Sequence, residues 1–76
     1  MPSGGGEDIK ETKLLLKDDK VKGIIVLFED GRVGVCSETP SGERTCYVTS
    51  KPSEKVFYIA QAWFSNLGMK IASEGK

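Results

Sequence analysis

Gly23-Ile24-Ile25-Val26-Leu27-Phe28 is the one place in this chain where five large apolar residues follow one another without a polar interruption. A strand with apolar side chains on both faces belongs inside a sheet and needs cover on at least one side. Its neighbours must therefore supply flanking strands and a lid. Asp30-Gly31 follows at once, and Asp-Gly between two apolar runs is the strongest short-range sign of a two-residue hairpin, in which both central residues take positive φ. That turn predicts Glu29 opposite Arg32, Phe28 opposite Val33, Val26 opposite Val35 and Ile25 opposite Cys36. Thr39-Pro40-Ser41-Gly42-Glu43 marks a second hairpin with a three-residue loop. It places Glu38 opposite Arg44 and Cys36 opposite Cys46. Each turn then has a Glu–Arg pair beside it, as cross-strand pairing favours.

The two hairpins together predict a three-stranded meander over residues 23–29, 32–38 and 44–49. One face carries Ile24, Val26, Phe28, Val33, Val35 and Tyr47; the other carries Ile25, Leu27, Gly34, Cys36, Cys46 and Val48. The first is bulkier and is assigned to the lid. The lid itself is a helix: Ser50-Lys51-Pro52-Ser53-Glu54 offers a capping hydroxyl with Pro and an acid near the first turn, and Gly68 sits where a left-handed residue ends a helix. Between them Val56, Ile59, Ala60, Trp63, Phe64 and Leu67 recur at helical spacing, with Trp63 as the expected core anchor.

The flanks are less determined. In residues 7–17, Ile9, Lys13 and Leu16 fit a short helix, whereas Lys13-Leu14-Leu15-Leu16-Lys17 fits a strand, and the strand is preferred. Lys17-Asp18-Asp19-Lys20 then turns that strand back onto the central run. Residues 69–72 either add a short edge strand or pack their Met and Ile. The glycine-rich residues 1–6 are too flexible to repay ordering, so a disordered tail over residues 1–7 and a frayed end over 73–76 are expected around one domain of residues 8–72. The expected class is α+β, an antiparallel meander of three to four strands packed on one face by a single C-terminal amphipathic helix.

Composition narrows function by removing options. Histidine is absent, which takes away the commonest general base near neutral pH and the commonest transition-metal ligand. Two cysteines without histidine do not complete a structural zinc site, and no Gly-rich segment stands at a strand–helix junction, so no metal, no cofactor and no catalysis are expected. Eleven basic residues balance eleven acidic ones, leaving no global field to hold a polyanion. No run approaches the roughly 18 apolar residues of a membrane span, and a soluble, cytoplasmic chain is expected. Cys36 and Cys46 face each other in the predicted register, which fits a redox-switchable disulfide. Two small side chains filling a sheet face account for the same positions more simply.

What remains is binding. A single helix covers one sheet face, so the other face stays bare, and a bare apolar face or an open edge strand is where a protein partner or a second copy docks. The expected function is thus a non-catalytic adaptor or inhibitor module, with Ile25, Leu27, Cys36, Cys46, Val48, Arg32 and Arg44 as partner-binding residues. The alternative is nucleic-acid binding through Lys22, Lys51 and Lys55 with the hairpin arginines. Ser50-Lys51-Pro52-Ser53-Glu54-Lys55, followed by Ala60, Ala62 and Leu67, resembles the start of the second helix in double-stranded-RNA-binding domains. The resemblance implies a helix over residues 8–17 and lysines that grip phosphates across the groove; here Pro52 and Glu54 interrupt the lysine run. A three-stranded sheet laid in a DNA major groove is the other form of this alternative, with Arg32, Arg44 and Lys22 as readers.

Overall fold

A computed structural model describes residues 8–73. Five strands and one helix follow in the order β1 (Ile9–Lys17), β2 (Lys20–Phe28), β3 (Val33–Glu38), β4 (Arg44–Val48), α1 (Glu54–Asn66) and β5 (Lys70–Ser73). The strands form one antiparallel sheet in the spatial order β4-β3-β2-β1-β5. The chain is α+β as expected, with one strand more than the upper estimate. The helix carries it from the β4 edge to the opposite edge, where β5 pairs with β1. Residues 9–17 are a strand, so the helix that the RNA-binding resemblance requires ahead of the meander is not formed. Ser73, expected to fray, closes β5 opposite Lys13. The expected tail of residues 1–7 and the end beyond Ser73 lie outside the described residues.

The main correction concerns the hairpin at Asp30-Gly31. Gly31 has φ +94° and Asp30 does not enter the left-handed region. The Phe28 N–H donates to the Arg32 carbonyl and the Gly31 N–H donates to the Phe28 carbonyl, each at 2.9 Å. This is a three-residue loop with a bulged glycine, not a two-residue turn. The register becomes Leu27 opposite Val33, Ile25 opposite Val35 and Ile24 opposite Cys36. A slip of one residue sends every side chain of β2 to the other face. Ile25 and Leu27, expected outside, are buried at 0% and 1% exposure, while Ile24, Val26 and Phe28 leave the helix side. Beside the turn Arg32 bonds Asp30, its Nε 2.8 Å from Oδ2, in place of the expected pair with Glu29.

The other turns behave as read. Pro40-Ser41-Gly42 forms a second loop of the same kind, with Gly42 at φ +94° and Glu38 opposite Arg44. Asp18 and Asp19, at φ 54° and 66°, form the mirror-image two-residue turn between Lys17 and Lys20. Gly68 at φ +91° ends the helix: its N–H donates to the Ser65 carbonyl and the Met69 N–H reaches back to the Phe64 carbonyl. Those two bonds satisfy carbonyls that the last helical turn would leave open.

The core lies between the sheet and α1 and consists of Leu15, Ile25, Leu27, Val33, Phe57 and Phe64, with Val35, Val56, Ala60, Met69 and Ile71 packed against it. Phe57 and Phe64 are two helical turns apart and are the residues of α1 that reach it fully. Trp63, expected as the anchor, is 60% exposed, and Ile59 and Leu67 are exposed with it. Tyr47 lies opposite Val35 on the helix side, yet it is 66% exposed. A small device keeps the sheet tight: a Cβ at Gly23 would lie 2.7 Å from the Cys36 carbonyl oxygen and 2.9 Å from Leu15 Cδ1.

Candidate interaction surface

Among the described residues the chain has one helix, and it lies on the face of Leu15, Ile25 and Leu27. The opposite face has a row that the register carries across all five strands: Ala72, Leu14, Ile24, Cys36 and Cys46. A second row runs Thr12, Val26, Gly34 and Val48. Phe28 extends it, since its ring and the Val48 side chain both lie beside Gly34. Leu14, Ile24, Val26 and Phe28 are half-buried by their sheet neighbours alone, and Val48 is 48% exposed. A concavity of about 310 Å³ opens on this face, lined by Leu14, Val21, Ile24, Cys36 and Cys46. Lys22 and Arg44 stand at its rim, and Glu38 bonds Lys22 there at 3.5 Å.

Cys36 and Cys46 form a disulfide, so the geometrically expected meeting is real and the reading of two free thiols is corrected. The bond sits at a particular kind of position. The Thr39 N–H donates to the Glu43 carbonyl and the Thr49 N–H donates to the Val33 carbonyl. Antiparallel ladders alternate hydrogen-bonded and non-bonded pairs, so residues 45 and 47 turn their backbone groups toward β3 and the Cys36–Cys46 pair is non-bonded. By the same alternation Arg44, Cys46 and Val48 turn their N–H and C=O groups away from the sheet. β4 is exposed along its whole length.

The predicted site residues divide accordingly. Cys36, Cys46 and Val48 lie together on the uncovered face; Ile25 and Leu27 belong to the core. Sequence reading missed Leu14, and it assigned Ile24, Val26 and Phe28 to the helix. The signal that finds them is the glycine-bulge form of the Asp30-Gly31 turn. Arg32 is held at the turn by Asp30 and stacks over the Phe28 ring, 5.4 Å from its centroid. The Arg32 backbone N–H, donating at 3.0 Å, together with the guanidinium, holds the Asp30 carboxyl below its usual value.

The cations of the nucleic-acid alternative do not gather. Lys22 and Arg44 share the rim at one end of the strands. Arg32 follows Gly31, whose carbonyl accepts from the Ser53 N–H, so Arg32, Lys51 and Lys55 lie at the other end. Six residues of strand, about 20 Å, separate the two groups. Among the described residues no three Cys, Asp or Glu side chains are placed to hold a metal ion, and no helix is long and apolar enough to cross a membrane. Comparison of the chain with protein-family models, with curated proteins and with solved structures finds no match.

Proposed function

We propose that this chain is a non-catalytic binding module that engages a protein partner through the uncovered face of its sheet. The observation that carries the reading is the row Leu14, Ile24 and the Cys36–Cys46 disulfide, backed by Val26, Phe28 and Val48, with no layer of described residues over it. In a chain this small, leaving such a face in water forgoes burial that the marginal core needs, and contiguous apolar patches of this kind are the usual ground of protein contacts. The nucleic-acid alternative draws less support, because in a neutral chain Lys22 and Arg44 lie at one end and Arg32, Lys51 and Lys55 at the other, which offers phosphates no continuous track through these residues.

The test is site-specific crosslinking in cells that make the protein. A photoreactive phenylalanine analogue at Val26 is expected to give one discrete protein adduct, and the same analogue at Lys55 on the helix none. Val26→Asp is expected to abolish binding of the captured protein while leaving the amide spectrum folded. Absence of any adduct from Val26 and from Ile24 in the folded protein ends the proposal.

A further inference from the structure

The sheet has two edges, and only one is protected. On the β5 side, β5 is four residues long, and the part of β1 that it leaves uncovered contains Lys10, Glu11 and a register shift between Ile9 and Glu11. Short edge strands, charges and bulges are the devices that stop a sheet from growing. β4, one residue longer than β5, has fewer of them. Its sequence Arg-Thr-Cys-Tyr-Val contains no proline and one charge, at its first residue, and its ladder to β3 is regular throughout. The disulfide ties it to β3, so the edge is already ordered before anything meets it. Arg44, Cys46 and Val48 point three N–H groups and three carbonyls outward, which is the complement of an extended strand and of little else.

We propose that the occupant is a second copy of this chain, joined β4 to β4 in an antiparallel register centred on Cys46. The inference rests on the binding-module reading and names the occupant of one edge. In that register Arg44 of each copy lies opposite Val48 of the other, Cys46 opposite Cys46, and Thr45 opposite Tyr47. The three outward residues of each strand pair, giving six backbone hydrogen bonds. The two Arg44 side chains stand at opposite ends of the seam, so the strand's own charge does not oppose self-pairing. Glu43 comes alongside the Thr49–Ser50–Lys51 segment of the other copy, which carries a lysine and no acid. Tyr47 and Val48, 66% and 48% exposed, are covered at the seam, and the uncovered apolar rows of two sheets become one. The contact is small compared with standard interfaces, so weak, concentration-dependent association is expected.

Analytical ultracentrifugation and amide exchange on the disulfide-intact chain, from about 10 μM to about 1 mM, test this. The expected result is a monomer–dimer equilibrium with protection gained at the amides of Arg44, Cys46 and Val48. Val48→Lys places a cation opposite Arg44 twice per dimer and is expected to weaken association, whereas Val48→Glu is expected to tighten it, each by about 2- to 30-fold. Opposite signs fit the register; an apolar patch contact loses affinity with both. A strict monomer up to about 1 mM, or weakening by both substitutions, overturns the proposal. Crosslinking from Val26 to a different protein that survives Val48→Lys leaves the binding-module reading standing while the dimer falls.

Discussion

At the scale of single residues, Phe57 and Trp63 exchange the roles that their sizes suggest. Residues 56–67 contain no charged side chain, so the helix has apolar groups nearly all round and its periodicity cannot say which of two adjacent stripes turns inward. Packing decides: Phe57 and Phe64 meet Leu15, Ile25 and Leu27, and Trp63 stays in water. Phe57→Ala is therefore expected to cost about 3–5 kcal/mol, and Trp63→Ala within about 0.5 kcal/mol, by urea unfolding. Gly23→Ala is expected to cost about 1–3 kcal/mol, since the new methyl meets a backbone carbonyl that cannot swing aside. Asp30 supplies a smaller effect. Its carboxyl is held low by Arg32, so its contribution is present above the ordinary carboxylate pKa and fades as pH falls through the lowered value. Asp30→Asn is expected to lower stability slightly at neutral pH and leave the acid end unmoved, so that the acid limb of a stability–pH curve flattens.

At the scale of elements, the second hairpin and the helix boundaries are legible from the sequence, and the first hairpin is not. Pro40 and Gly42 specify one loop type, and Gly68 marks the helix end, because Gly42 and Gly68 have positive φ, which few residues accept, and Pro40 fixes its own φ. Asp30-Gly31 serves two loop types equally well. The choice between them is made by tertiary packing, which gains Leu27 and Val33 as a buried pair, and by the bond from the Arg32 N–H to Asp30. Once the loop is wrong by one residue, half the binding face is wrong with it, as Ile25 and Leu27 show. The disulfide follows from the second, correctly legible register. It spans a sequence separation of 10, for which loop-closure entropy gives about 2.5–3 kcal/mol. Full reduction is expected to lower unfolding stability by that amount in urea titrations, with the largest rise in amide exchange along β4. In a reducing compartment the pair is held as thiols, so the stiffness of this edge depends on the surroundings.

For the whole molecule, the class and the one-sided arrangement of helix and sheet were foreseeable from one apolar run, two turns and one helix without charge after its first two residues. The fifth strand was foreseeable only as an option, because Met69-Lys70-Ile71-Ala72 is too short to show a period. Its placement beside β1 depends on Ile71 lying opposite Leu15 and on Met69 packing into the core. A chain ending at Asn66 is expected to lose the dispersed amide spectrum of the native state, although it keeps four strands and the helix. The order β4-β3-β2-β1-β5 has a further meaning for a chain made from its N-terminus. Within this sheet β1 is made before the elements that cover it, and Leu15 has no roof until both α1 and β5 have emerged. A stalled ribosome would therefore present a finished meander with a greasy, unroofed side, the form in which this protein most needs a chaperone.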